Sequence, residues 1–266
     1  MKNNYKEITS RENPAVKQYV QLASSKKARY EQSLVVTEGM KLTTEAYAAG
    51  YQSHMLFATE DAMDRYFDDI QSIALTSHQF LRISQSVAQK LAKSVSTQGV
   101  FGVFSMLDNK MTDVKIDCNG KFLLLSSLQD PGNIGTILRT AAAFGVDGVI
   151  LSHDCPDLYS MKVLRASMGG IFKLPIHVTE DINSSIRMLQ ENGITVYAAA
   201  LDDHAIPIQE ASLKSACAVV IGNEGNGLSQ EVIEQCSQTM IIPMKPNSES
   251  LNAAMAAGIV LWEMNR

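Results

Sequence analysis

The chain has 266 residues, of which 45% are hydrophobic and 19% charged, as in an ordinary soluble globular protein. No apolar stretch approaches the roughly 18 residues of a membrane span. No secretory signal is recognisable, so we expect a cytoplasmic protein without a membrane partner. The four cysteines are widely spaced, and none of the five histidines shows metal or triad spacing, so no metal site is expected.

Charge is unevenly distributed along the chain. The net charge is −5, yet residues 1–41 carry +4, which leaves −9 for the rest. A basic segment on an acidic protein can bind phosphates, and a solvated helix face would have the same composition. Composition alone leaves both interpretations open.

The first hundred or so residues alternate between short strands and helices, which predicts a small α/β domain. A polar helical segment covers residues 1 to about 30, and Gly50 follows a helix at Met40–Ala49 as its C-cap. A polar stretch at 107–120 is predicted as a linker, so this domain spans 1–106. The other predicted elements are strands at 34–36, 54–58, 73–75 and 99–104 and a helix at 84–93.

Strands and helices alternate strictly from residue 121 onwards, which predicts an α/β domain at 121–266 with a parallel sheet covered by helices on both faces. The near-continuous apolar run at 122–125 fits a strand buried on both faces. Further strands are predicted at 148–151, 175–178, 195–198, 218–221 and 240–242, and helices at 134–144, 161–168, 182–191, 228–235 and 251–264.

The loop after the 122–125 strand is the first of three with unusual composition, and such loops are where parallel sheets bind ligands. Pro131 and Gly132 predict a turn, and Asn133 is a plausible N-cap for the helix. Arg139 lies about 140° around this helix from Ile134 and its apolar stripe. It is either a solvated arginine or a guanidinium at the mouth of the loop that binds an RNA phosphate or ribose oxygen.

The second loop, at 221–229, has three glycines in six residues, which would let the backbone approach a ligand closely. It lacks the Lys-Ser/Thr of a phosphate loop and the G-x-G-x-x-G pattern, so a nucleotide-phosphate cradle is disfavoured. A tight strand-to-helix turn with Glu224 in solvent explains the composition equally well.

The third loop, at 242–252, leads into the last helix. Asn247, Ser248 and Ser250 can all cap that helix, but capping does not explain why Asn252 stands just inside an alanine-rich helix start. The apolar spacing of this helix predicts that its core-facing stripe includes Met255 and Trp262.

Together the three loops resemble, in order and spacing, the signature motifs of the SpoU (TrmH) family of RNA ribose methyltransferases, in the SPOUT superfamily. Residues 1 to about 105 resemble the substrate-binding domain found in part of this family, through the opening at 8–14 and the Thr37-Glu38-Gly39 motif. The matching residues in the loops are Asn133-Ile134-Gly135, Arg139-Thr140-Ala141, Phe144-Gly145, Ile221-Gly222-Asn223-Glu224-Gly225, Ile242-Pro243-Met244 and Ser250-Leu251-Asn252.

The resemblance implies a C-terminal parallel α/β domain with a deep trefoil knot, preceded by a smaller α/β RNA-binding domain. S-adenosylmethionine would be held by backbone groups of Gly222, Ile242 and Leu251. The family forms homodimers with the site at the interface, so Arg139 would act with cofactor bound largely by the other subunit. Pro246 stands where the family usually has glycine; since proline lacks an N–H, we expect a slightly altered cofactor affinity.

The implied activity is methyl transfer from S-adenosylmethionine to a ribose 2′-hydroxyl of structured RNA. The family treats Arg139 as the catalytic residue, and because arginine stays protonated we expect it to stabilise the developing alkoxide. Asn133 and Glu224 would position Arg139 and the substrate, while Ser250 and Asn252 would shape the same pocket. The N-terminal domain and its basic stretch favour ribosomal RNA over transfer RNA, with no DNA partner.

Two alternatives remain open at this point. One is a non-catalytic RNA-binding or assembly protein on the same knotted scaffold, against which the intact polar signature residues argue. The other is a nucleotide- or nicotinamide-dependent enzyme on a doubly wound sheet, against which the absence of G-x-G-x-x-G after the first strand argues.

Overall fold

The structure is a computed structural model that describes residues 7–93, 96–106, 116–202, 204–245 and 250–266. Contacts divide the chain into two compact units. The first contains the described residues up to 106 together with Tyr159–Phe172, and the second contains the described residues from 116 to Leu158 together with Lys173–Arg266. Most of the linker predicted at 107–120 lies outside the described residues.

The two units are built from short strands and helices. The strands are β1 (Leu34–Glu38), β2 (Ser53–Ala58), β3 (Gln79–Arg82), β4 (Val100–Ser105), β5 (Lys121–Leu125), β6 (Gly148–Ser152), β7 (Ile176–Thr179), β8 (Thr195–Ala199), β9 (Ile206–Pro207), β10 (Cys217–Ile221) and β11 (Gln238–Ile241). The helices are α1 (Pro14–Ser24), α2 (Lys26–Gln32), α3 (Met40–Ala48), α4 (Glu60–Arg65), α5 (Phe67–Ala74), α6 (Gln85–Leu91), α7 (Pro131–Phe144), α8 (Met161–Ser167), α9 (Ile182–Glu191), α10 (Gln230–Gln235) and α11 (Ala253–Asn265). None of these helices is both long enough and apolar enough to cross a membrane, as far as the described residues go.

A mixed four-stranded sheet in the order β1-β4-β2-β3 forms the centre of the first unit, within its described residues. Strand β4 runs antiparallel to both β1 and β2, whereas β2 and β3 are parallel. Helix α1 begins at Pro14 because Asn13 caps it, its side chain accepting from the Ala15 N–H. This places Tyr19, which is fully buried, with its ring edge-on to Phe57 and Phe101.

The strand predicted at 73–75 is wrong. Ile73 is buried in helix α5 together with Ile70, and Leu75, just beyond the helix, is 80% exposed. An apolar triplet at a helix end looks like a short strand when the preceding turn is not considered. The strand of this region is β3, which apolar patterning did not predict because its residues are only partly buried.

An all-parallel seven-stranded sheet, in the order β7-β6-β5-β10-β8-β11-β9, forms the second unit's described core. The parallel sheet predicted for the C-terminal half is thereby confirmed. Strands β5 and β10 lie side by side near its middle, and β10 is buried along its whole length. Burial on both faces explains their continuous apolar sequences.

Helix α7 begins three residues earlier than predicted. Asp130, not Asn133, is its N-cap, with Oδ1 accepting from the Gly132 N–H at 2.9 Å and Pro131 in the first turn. The predicted cap was wrong because an Asp-Pro start satisfies the first N–H groups before Asn133 is reached. The side chain of Asn133 is therefore free for other contacts.

The last helix, α11, faces the core with the opposite side from the predicted one. Its buried residues include Val260 and Leu261, whereas Met255 is 62% and Trp262 56% exposed. The prediction that Trp262 lies in the core is therefore wrong. Since this helix is apolar nearly all round, spacing could not identify which apolar face packs inward.

We predict that Tyr19→Phe lowers the free energy of unfolding of the full chain by about 1 kcal/mol. The buried Tyr19 hydroxyl donates to the Thr37 carbonyl oxygen at 2.9 Å, and phenylalanine leaves that oxygen with one donor fewer. Urea denaturation measures the change. Tyr47→Phe is the matched control, because its hydroxyl makes only a long, exposed contact with the Ser72 carbonyl; equal losses in both variants would contradict this account.

Candidate functional site

The first two unusual loops leave the same edge of the parallel sheet from neighbouring strands. Leu125 and Ile221 are paired at the ends of β5 and β10. The Ser126 N–H continues the ladder by donating to the Ile221 carbonyl oxygen at 2.9 Å. Because both strands end at this level, residues 126–130 and 222–228 start side by side at a point where ligands commonly bind.

Glu224 in the second loop holds the first loop through three hydrogen bonds. Its carboxylate accepts from the backbone N–H groups of Gln129 at 3.0 Å and Asp130 at 3.2 Å, and from Nδ2 of Asn133 at 2.9 Å. These donors belong to the turn before α7 and to its first turn. The conformation of the first loop therefore depends on a side chain from the second.

The same network continues into the third loop. Asn133 is buried, and its Oδ1 accepts from Nδ2 of Asn252 at 2.9 Å. Asn252 is itself the N-cap of α11, its Oδ1 accepting from the N–H groups of Ala254 and Met255. A continuous path of side-chain hydrogen bonds thus runs from Glu224 through Asn133 to Asn252, and explains why asparagine stands at position 252.

The hydrogen bonds to Glu224 determine its protonation. Partial burial raises the pKa of the carboxyl, but the hydrogen bonds from Asn133 and from the backbone of Gln129 and Asp130 outweigh it, so the pKa lies below its ordinary value of 4.5. Glu224 is therefore ionised at neutral pH. It serves as an acceptor that holds donors in place and is not a proton donor there.

Asn223 is a structural residue of this site that was not among the predicted site residues. Its Nδ2 donates to the Ser127 carbonyl oxygen at 2.7 Å, and its Oδ1 accepts from the N–H groups of Gly225 and Asn226. The hydrogen bonds accepted by its Oδ1 form the local turn that asparagine side chains favour. The Asn-Glu-Gly sequence could therefore have predicted this turn. Asn223 and Glu224 thus attach the second loop to the first at two points.

Gly222 is required by the close approach of the second loop to itself. A Cβ at this position would lie 2.5 Å from the Gly227 carbonyl carbon and 2.6 Å from the Leu228 nitrogen. Reciprocal hydrogen bonds between the backbones of Asn223 and Gly227 close the turn, and Gly227 has a φ of +68°. Any side chain at 222 would therefore open the loop.

A cavity of about 370 Å³ lies beside this loop. All three residues predicted to hold cofactor, Gly222, Ile242 and Leu251, line it, and so do Glu224 and Ser250. The rest of the lining is mostly apolar and includes Ala199, Ile221, Met240, Met244, Ala253 and Ala256. A pocket with apolar walls and exposed loop backbone is the usual form of a small-molecule site.

Arg139 lies apart from the hydrogen-bonded network. It is exposed on α7, and within the described residues no hydrogen bond or ion pair involves its side chain and it does not line the cavity. The structure therefore brings Asn133, Glu224 and Asn252 into contact and leaves Arg139 in solvent on the helix that they anchor. Pro246, the departure from the family pattern, lies outside the described residues.

Two family models match the chain. One, described as the SpoU rRNA methylase family, matches residues 120–262, and the other, an MRM3-like substrate-binding domain, matches residues 13–102. The three loops fall within the first match, and the four-stranded sheet falls almost wholly within the second.

Similar proteins align over nearly the whole chain. An uncharacterised tRNA/rRNA methyltransferase of Synechocystis is 35% identical over 97% of this chain and 93% of its own length. The 23S rRNA (guanosine(2553)-2′-O)-methyltransferase RlmP of Bacillus subtilis is 31% identical over 97% and 99%. The AdoMet-bound structure of an rRNA methyltransferase from Sinorhizobium meliloti superposes with a TM-score of 0.85 at 28% identity, covering 97% of both chains.

We predict that Glu224→Gln lowers the free energy of unfolding by about 1 kcal/mol near neutral pH, because glutamine offers one acceptor oxygen in place of two. Since the pKa of Glu224 is lowered on folding, its contribution is complete above pH 4.5 and is lost as pH falls through the lower, folded-state value. The difference between wild type and variant should therefore shrink on acidification, as measured by urea denaturation at a series of pH values.

Glu234→Gln is the control for the loss of one negative charge, since it removes only an exposed contact with Gln230 inside a helix. A difference between wild type and Glu224→Gln that stayed constant with pH would show that the carboxylate does not act as described.

Proposed function

Because the chain belongs to the SpoU rRNA methylase family, we propose that it transfers a methyl group from S-adenosylmethionine to a ribose 2′-hydroxyl of ribosomal RNA. The observation that carries the proposal is the hydrogen-bonded path from Glu224 to Asn252 beside the cavity. The names of relatives support the substrate, since RlmP of Bacillus subtilis acts on a guanosine of 23S rRNA. The MRM3-like match at 13–102 further supports RNA, with ribosomal RNA favoured over transfer RNA.

The cavity suits S-adenosylmethionine in size and lining. Its volume of about 370 Å³ lies within the range of small-molecule pockets. Apolar side chains such as Met240 and Ala256 would cover the adenine and the methionine chain, and backbone groups of Gly222, Ile242 and Leu251 would hold their polar atoms. When bound, the cofactor supplies an activated sulfonium methyl group.

Arg139 supplies the positive charge of the proposed reaction. Its guanidinium stays protonated, so it orients the RNA phosphate and stabilises the alkoxide that develops on the ribose oxygen. The hydroxyl proton leaves to phosphate or water. Asn133 and Glu224 act indirectly, because they anchor the first turn of α7, the helix that carries Arg139.

The non-catalytic alternative is less well supported. A protein that only binds RNA needs neither Glu224 nor Asn252 at these positions, yet both are present and hydrogen-bonded through Asn133. Measurement of S-adenosylmethionine binding separates the two functions.

We further propose that the protein acts as a homodimer. Met255 and Trp262 are more than half exposed on α11, and the Trp262 ring lies edge-on to Phe144 of α7 with centroids 6.2 Å apart. Large apolar side chains grouped on the outside of two packed helices favour an interface. A dimer formed through α7 would bring Arg139 of one subunit towards the cofactor of the other, as the family resemblance implies.

We predict that Arg139→Ala lowers kcat for ribosomal RNA roughly 100- to 1,000-fold, as the loss of a group that stabilises a developing oxyanion does. The affinity for S-adenosylmethionine, measured by calorimetry, should stay unchanged because Arg139 does not line the cavity. Arg187→Ala, which removes another exposed arginine of the same unit, is the control. Near-wild-type turnover in Arg139→Ala would refute the assignment, and wild-type protein that bound no S-adenosylmethionine would refute the function itself.

We predict that Trp262→Glu converts the dimer to a monomer in analytical ultracentrifugation and lowers methylation in parallel, since a charge cannot be buried unpaired in an apolar interface. Asn265→Glu adds the same charge to the exposed end of the same helix and should leave the dimer intact. A monomeric wild-type protein, or a Trp262→Glu variant that stays dimeric, would contradict the interface.

A further inference from the structure

The first unit contains a cavity of about 310 Å³ that the methyl-transfer site does not use. Three stretches far apart in sequence form its walls: the end of β1 and start of α3, the segment before β4, and the end of α8 with the residue after it. The lining residues are Glu38, Gly39, Lys41, Leu42, Ser96, Gln98, Leu164, Arg165 and Met168. Its volume is at the lower end of the range found for ligand pockets.

Two exposed cations, Lys41 and Arg165, line this cavity. Arg165 donates from Nε to the Met161 carbonyl oxygen of its own helix at 3.2 Å, and this contact does not use its two Nη groups. The one carboxylate in the lining, Glu38, is buried and accepts from the Lys93 N–H at 3.0 Å. The exposed charge at the mouth of the cavity is therefore positive, which suits a phosphate group.

Gln98 contributes a hydrogen-bond donor. Its Oε1 accepts from the Met40 N–H at 2.8 Å, which fixes the orientation of the amide. No partner is found for its Nε2 within the described part of the chain, and the side chain is exposed. Gln98 also lines two neighbouring cavities, one with Tyr66 and Asp69 and one with Thr59 and Arg65, so it stands where several surface depressions meet.

Met168 presents an apolar side chain from a strained backbone. It has a φ of +48°, in the left-handed region that a bulky residue rarely adopts, and it is 41% exposed. Burial in a core therefore does not account for a methionine here, and glycine would fit the backbone better. The left-handed conformation itself ends helix α8, as such residues commonly do, so it is the choice of methionine here that points to a contact made by the exposed side chain.

We propose that this cavity binds one unpaired nucleotide of the RNA substrate, at a second site separate from methyl transfer. Lys41 and Arg165 bind the phosphate, Nε2 of Gln98 donates to a base or ribose oxygen, and the thioether of Met168 covers the face of the base. Unpaired bases are what proteins recognise in structured RNA, because their edges and faces are exposed. The proposal rests on the proposed function to the extent that the substrate is RNA.

Substitution of the two cations tests the phosphate contacts. Lys41→Ala and Arg165→Ala should each weaken RNA binding and raise the KM for RNA roughly two- to fivefold, as the loss of an exposed ion pair does. Each should also lower the slope of log affinity against log salt by about 0.7. Arg165→Lys should retain most of the RNA affinity. In all three variants, kcat at saturating RNA and the affinity for S-adenosylmethionine should stay at wild-type values.

Lys90→Ala is the matched control, an exposed lysine on another short helix of the same unit that lines none of the cavities described above. Wild-type RNA affinity and salt dependence in Lys41→Ala and Arg165→Ala, or equal losses in Lys90→Ala, would overturn the proposal. Wild-type protein that methylates no RNA would instead refute the proposed function.

Met168→Gly separates binding from folding. Glycine relieves the left-handed strain, so the melting temperature should rise or stay unchanged while RNA affinity falls. A residue with a purely structural role would not move the two measurements in opposite directions, and a variant that bound RNA as tightly as wild type would refute the base contact. Binding of free AMP that is lost in Lys41→Ala, with RNA affinity unchanged, would overturn the proposal by assigning the cavity to a free nucleotide.

Discussion

The carboxylate of Glu224 is the point on which the candidate site depends. It accepts two backbone N–H groups from the turn before α7 and one side-chain N–H from Asn133. An ionised carboxylate has acceptor positions for all three, and hydrogen bonds to a charged acceptor are stronger than neutral ones. Three separate donors also fix the direction of the glutamate side chain, which a single bond would not do.

Asn133 extends this hydrogen-bonded network from Glu224 to the start of the last helix. Its partners Glu224 and Asn252 are 91 and 119 residues away in sequence. Because an amide offers both a donor and an acceptor, one buried asparagine can join residues of two loops, Glu224 in the second and Asn252 in the third. Side-chain hydrogen bonds therefore hold the glycine-rich second loop and the serine-rich third loop beside the cavity. The cavity walls themselves remain mostly apolar. Arg139 stands on the helix that this arrangement anchors, and its exposed guanidinium is accessible to a phosphate.

The features that sequence predicted best were those determined by the parallel sheet. Strands with continuous apolar sequences end at one edge, so the polar residues that follow them had to lie close together, and the α/β class and the meeting of the loops are confirmed. The wrong predictions have local causes. Asp130 caps α7 before Asn133, an apolar triplet at 73–75 ends a helix, and a helix apolar on both faces hides which face is buried. The trefoil knot, the effect of Pro246 and the catalytic roles stay predictions, because they depend on threading, on residues outside those described, or on bound substrate.

Helix α11 connects the candidate site with the proposed dimer interface. Its first N–H groups are capped by Asn252, which belongs to the site; its buried residues include Val260 and Leu261, and the helix packs against α7 and β10. Its outer face carries Met255 and Trp262, the residues on which the proposed dimer depends. A rigid helix transmits a displacement along its axis to its N-cap, and from Asn252 the hydrogen bonds lead directly to Asn133 and Glu224. Association through the outer face would thus restrict the same helix that positions the cavity wall, so a monomer should have a less ordered site even where every residue of that site is intact.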